Sequence, residues 1–341
     1  MDRTDRSLSW PGHLARFLIW SLGPLGLLGC ASLGVDRGKS LVPTGFQTRT
    51  GPFLICTNNR LDPGSPVVRE LNALETQLHE TLGLRVEPGD NPVEIYLLDD
   101  RQAFDHFLQF YYPNLPKRRA FFLANGDKRV VYTFRGDRTE EDVRHEATHA
   151  LLHVAIGDMP LWLDEGLAEY FEGTGTGPTP TGGINPDHLD RLPFDLAAGW
   201  KPNLTRLESL RAVREMSPRD YRESWAWVHF LLNDSRPHKA ALVTYLGDLR
   251  TTPSPQPISE RLGGDEAAPL LAHLSQVRAS PIAAATVAPT RDPTVRLQSA
   301  QVESTPPPPP AEAQKPGGEP AAGPAARRRS ILGRVFGWFA P

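Results

Sequence analysis

Cysteine is nearly absent: the 341 residues include two, Cys30 and Cys56. One pair is no disulfide framework, so any fold must rest on an apolar core. A dominant charge is missing as well. The net charge of −3 gives no basic field for nucleic acid and no acidic field for a cationic partner. The apolar run from Phe17 to Gly29 falls short of the ~20 residues that a membrane-spanning helix needs. Proline, in contrast, is abundant at 34 residues, and its uneven distribution divides the chain.

The short apolar run follows Arg3, Arg6 and Arg16 and ends in Leu27-Leu28-Gly29-Cys30. Basic residues, a brief apolar core and a small residue at its end are the layout of a secretory signal. The ending resembles a bacterial lipobox, in which the cysteine becomes the lipidated first residue of the mature protein. The alternative is an uncleaved signal anchor. Either way the body of the protein is expected to be exported into the cell envelope, facing the periplasm, and tethered to a membrane. Ala31 stands where an aspartate often retains lipoproteins at the inner membrane, which points to the outer one. With Cys30 acylated, Cys56 is left as a lone thiol, expected to be buried in a strand.

The rest divides into a tether (31–45), a folded domain (46–277), a Pro/Ala-rich linker (278–326) and a tail (327–341). The linker holds five consecutive prolines, Pro306 to Pro310, and has too few apolar residues to offset the entropy of ordering. The tail joins Arg327-Arg328-Arg329 to Ile331, Leu332, Val335, Phe336, Trp338 and Phe339. It reads either as a short basic amphipathic helix lying on an anionic membrane or as a sticky, unstructured end. Within the domain, strands are expected at Gly51 to Thr57 and Pro92 to Leu98, with a hairpin from Ala120 to Phe134 turning at Asn125-Gly126. Helical spacing marks Ser65 to Leu82 and Arg101 to Tyr111. A helix capped by Thr139 runs to Gly157, another runs from near Leu163 to Phe171, and two or three more lie between Leu204 and Arg250.

The chemistry lies in His145-Glu146-Ala147-Thr148-His149. Two histidines four apart sit one turn apart on a single helix face, close enough to grip one ion. Glu146 points about 100° around the helix from His145, so it reaches past a metal rather than binding it. That is where a general base belongs. The pattern gains weight from Trp162-Leu163-Asp164-Glu165-Gly166-Leu167-Ala168-Glu169-Tyr170, a second helix a short connection away. Glu165 can turn back as third ligand. Two imidazoles, one carboxylate and an open position make a catalytic rather than a structural zinc pattern. Glu169, one turn further, is placed to accept a hydrogen bond from a ligand histidine.

These residues resemble the gluzincin clan of zinc metallopeptidases, which includes thermolysin-like enzymes and zinc aminopeptidases, and most closely the bacterial peptidase MA-like group. The resemblance is carried by His145, Glu146, His149 and Glu165, with Trp162, Gly166 and Glu169 around them. It implies Zn²⁺ as cofactor, peptides or proteins as substrates, and hydrolysis by a zinc-activated water with Glu146 as base. It also implies an α+β fold: a mixed sheet in an N-terminal subdomain packed on a mainly helical C-terminal one, with the zinc site between them. In that clan a strand at the cleft binds the substrate backbone, and Val130 to Phe134 is the candidate here. The gap between His149 and Glu165 is shorter than in the aminopeptidases and no amine-binding motif precedes the zinc helix, so an endopeptidase is expected. Metzincins need glycine at 152 and histidine at 155, where this chain has Leu152 and Ala155.

His153 continues the histidine stripe, but three ligands up one helix cannot surround an ion, so it is expected to support a ligand or simply pack. Tyr221 and His229 are candidates for steadying the oxyanion, each also explicable as structure. Trp225 and Trp227 read as core. Two other functions remain open: an envelope scaffold whose metal site is catalytically silent, and a latent peptidase whose 173–183 loop is a lid.

Overall fold

A mixed sheet forms from alternating apolar residues. The computed structural model describes residues 40–86, 91–173 and 182–280, with the backbone of Val335–Phe336. The lipobox with Cys30, the linker and the rest of the tail lie outside the described residues. Gly51, at φ +48°, turns the chain from Phe46–Thr50 (β1) into antiparallel Phe53–Thr57 (β2). Pro66–Leu82 (α1) starts with Pro66 in its first turn and stops at Gly83, whose φ of +70° provides a left-handed C-terminus. Val93–Leu98 (β3) returns parallel to β2. Arg101–Tyr111 (α2) is capped by Asp100, which accepts from the amide of Ala103 at 2.8 Å. The expected hairpin is present as Phe121–Asn125 (β4) and Lys128–Phe134 (β5).

β5 lies parallel to β3, so the sheet order is β1-β2-β3-β5-β4. Alternation sorts side chains to two faces. Phe122, Ala124 and Val131 join the core that includes α1, while Phe121, Leu123 and Phe134 pack with Phe104 and Phe107 of α2. Cys56 is buried in β2 as a free thiol, which burial pushes up to about 11.

The sheet order corrects one expectation. Val130 to Tyr132 is paired on both sides, with β3 and β4, and Thr133 and Phe134 pair with β3, so most of this segment's backbone is already engaged. Beyond β4, the backbone of Val335–Phe336 (β6) pairs antiparallel with it at Leu123 and Phe122, so β6 extends the order to β1-β2-β3-β5-β4-β6. That part of the tail is therefore strand, not helix.

The helical half starts with Thr139–Ala155 (α3) and Leu161–Glu172 (α4), joined through Gly157 at φ +90°. The hydroxyl of Thr139 bonds back to the preceding loop, accepting from Gly136 N at 2.7 Å, rather than capping the helix. Pro186–Ala197 (α5), Leu204–Ser209 (α6), Pro218–Asn233 (α7), Arg236–Thr251 (α8), Ile258–Arg261 (α9) and Ala267–Ala279 (α10) follow. All residues of α4 are buried, which makes it the central helix of this half. Trp225 and Trp227 are buried in the core, as expected. The class is α+β, with a mixed sheet on the N-terminal side and a mainly helical C-terminal region. Among the described residues, no helix is long and apolar enough to cross a membrane.

Candidate metal centre

Close packing places the site. Gly166 sits where α4 crosses α7: a Cβ there would lie 2.6 Å from the carbonyl oxygen of Ser224. Only a glycine lets the two backbones approach this closely. On the other side, Arg144 ties α3 to its neighbours. Its guanidinium donates to the carbonyl of Phe171 at 2.8 and 2.9 Å and to Glu70 of α1 at 3.1 Å. The two ties fix the distance between His145 and His149 on α3 and Glu165 on α4.

Three side-chain atoms converge in the gap. His145 Nε2 and His149 Nε2 are 3.2 Å apart, and they lie 3.9 and 3.7 Å from Glu165 Oε2. Ligands bound to one tetrahedral Zn²⁺ at ~2.1 Å would be separated by about 3.4 Å, so the spacing suits a single ion. His145, His149 and Glu165 thus form a group that could hold a metal. They are 2%, 1% and 1% exposed, too buried for a chance cluster of surface polar groups.

Hydrogen bonding sets the tautomers. His145 Nδ1 bonds Glu172 Oε2 at 3.1 Å, and His149 Nδ1 bonds Asp164 Oδ1 at 2.9 Å. An ionised carboxylate only accepts, so each Nδ1 carries the hydrogen. In the neutral imidazoles both Nε2 lone pairs then point into the gap, where they repel unless a cation lies between them. Glu165 Oε1 is buried there without a hydrogen-bond partner. The donor set fits a divalent ion.

The charges agree with that reading. Burial pushes Glu165 up to about 8; His149 opposes the rise, while Asp164, Glu169 and Glu146 add to it. Burial alone would lower His149, but Asp164, Glu165 and Glu169 outweigh it and raise it. Glu146 is fully buried beside the ligands, with its carboxylate near Arg118.

The supporting residues differ from expectation. Glu169 is not placed as the partner of a ligand histidine; it accepts from His188 Nε2 at 2.8 Å and Asn185 Nδ2 at 3.1 Å. The antiparallel crossing of α3 and α4 instead sets Asp164 against His149 and Glu172 against His145. His153 packs against the sheet, accepting from Arg129 Nε at 3.0 Å with its ring edge-on to Phe122. Of the two oxyanion candidates, Tyr221 is brought near the site and is an electrostatic neighbour of Arg118. His229 is not. It lies two turns along α7, buried between Trp225 and Tyr170, with Nδ1 2.9 Å from His273 Nε2. Arg118, Asp164, Glu172 and His188 were missed from sequence.

Fold and site together define an α+β protein with a buried His-His-Glu candidate metal centre. Residues 141–255 match a family model described as "Protein of unknown function (DUF1570)", a span that includes all three candidate ligands. No curated protein matches the chain.

Proposed function

We propose that this protein is an exported, lipid-anchored zinc metallopeptidase. The supporting observation is the conjunction of three inward-facing ligand atoms with Glu146, a buried carboxylate beside them that a purely structural metal site does not need. Zn²⁺ held by His145, His149 and Glu165 would supply Lewis acidity toward a carbonyl and lower the pKa of a water. Asp164 and Glu172 hold the imidazoles in the tautomer that offers Nε2. Glu146 takes the proton of the attacking water and delivers it to the leaving amine nitrogen. Tyr221, an electrostatic neighbour of Arg118, is the candidate donor of a hydrogen bond to the scissile carbonyl oxygen.

Incubation of the metal-loaded chain with a mixed peptide library, with and without a chelator, tests this reading. Chelator-sensitive cleavage is expected; one bound metal per chain without cleavage would favour the silent scaffold. The anchor is tested apart from the chemistry. Labelling with an alkyne fatty acid should mark the wild-type protein and not Cys30→Ala, and equal labelling would remove the anchor.

A further inference from the structure

A buried cation that is not a metal ligand and does not come from the helices lies within electrostatic range of the candidate site. Arg118 lies in the segment leading into β4 and has no exposed surface. Its Nε donates to the carbonyl of Pro116 at 3.3 Å, and its guanidinium carbon lies 5.8 Å from the centre of the Phe121 ring. Its electrostatic neighbours are Glu146, Tyr221 and Glu165. Burying a guanidinium is costly unless negative charge faces it, so the carboxylates of the site help to hold it in place. For a site that only stores a metal, this charge has the wrong sign. A fixed positive group beside the ligands repels a divalent cation. The arrangement is useful where negative charge develops during a reaction.

Resting on the peptidase reading above, we propose that Arg118 is a catalytic residue that binds the scissile carbonyl oxygen as it becomes negative. Water adds to the carbonyl carbon, Glu146 takes its proton, and the carbonyl π pair moves onto the oxygen facing Arg118. When that pair returns, the C–N bond breaks and its electrons leave with nitrogen, which receives the proton held by Glu146. Arg118 stays protonated throughout, so its donors need no proton transfer to act. The sheet would then supply the oxyanion contact while the helices supply the ligands and the base. Arg118 lies outside the 141–255 match, so the site would draw on both halves of the fold.

The test uses the full chain loaded with Zn²⁺, and two affinities. One is for Zn²⁺, by competition with a chromophoric chelator. The other is for a mixture of phosphinic tripeptides, whose tetrahedral anion stands in for the developing charge. Arg118→Gln should weaken phosphinate binding by at least about tenfold and leave Zn²⁺ affinity unchanged or higher. Unchanged phosphinate affinity, or loss of Zn²⁺ affinity in the variant, would overturn the role. A thermal melt checks folding; if the Gln variant does not fold, Arg118→Lys decides. Lys keeps the charge and loses the planar fork, so a severalfold weaker phosphinate at unchanged Zn²⁺ affinity supports the role. Equal affinity for wild type and Arg118→Lys overturns it. If the wild type binds Zn²⁺ but not the phosphinates, the peptidase reading falls and the Arg118 role with it.

Discussion

His145 Nε2 and His149 Nε2 face each other at 3.2 Å because Glu172 and Asp164 hold the opposite nitrogens of the same rings. The carboxylates therefore preorganise the ligands. Glu172→Gln and Asp164→Asn should each lower Zn²⁺ affinity by about 10- to 100-fold, because an amide can donate to Nδ1 and favour the wrong tautomer. Chelator competition measures this. Unchanged affinity in both variants would mean that packing alone orients the rings.

Metal and pH should be linked. Glu165 rises from 4.5 to about 8 on folding without metal, so the folded chain keeps a proton that the unfolded chain has released. The stability gained from that proton is complete below the unfolded pKa and declines as pH rises toward 8. A metal ion replaces the proton. Melting at pH 6 and pH 8, with and without Zn²⁺, should therefore show a larger Zn²⁺ increment at pH 8. Equal increments would count against Glu165 as a ligand.

His229 works in the opposite direction. Burial, with His273 adding, pushes it from 6.5 down to about 3. The folded state holds it neutral while the unfolded state takes a proton, so its contribution is complete above pH 6.5 and lost as pH falls toward 3. His229→Phe should flatten the loss of urea stability between pH 7 and pH 5. An unchanged slope would place that acid sensitivity elsewhere.

Gly166→Ala should destabilise the protein by about 1–3 kcal/mol, because the new Cβ meets backbone rather than a movable side chain. Urea denaturation measures the change. A variant as stable as wild type would show that α4 and α7 can part without cost.

The ligand set was legible because it is local. His145, His149 and Glu165 lie on consecutive helices joined by a short turn, so spacing alone brings them together. Glu169 misled because a helical face can be read from sequence but a crossing angle cannot. The crossing puts Asp164, one residue before Glu165, and Glu172, seven after it, against the rings. Arg118 gave no local signal, since only the sheet order brings the start of β4 to α3. In the fold, β1 was missed because Phe-Gln-Thr-Arg-Thr has little apolar alternation to bury. α5 was missed because Pro193 lies inside it and reads as a breaker. The interior position of β5 depends on long-range pairing that no turn sequence specifies.

The most direct measurement compares Glu146→Gln with wild type for both bound zinc and peptide cleavage. The variant should retain one Zn²⁺ per chain and cleave a mixed peptide library at least about 100-fold more slowly than wild type. Cleavage at the wild-type rate by a zinc-loaded Glu146→Gln protein would contradict the proposed chemistry.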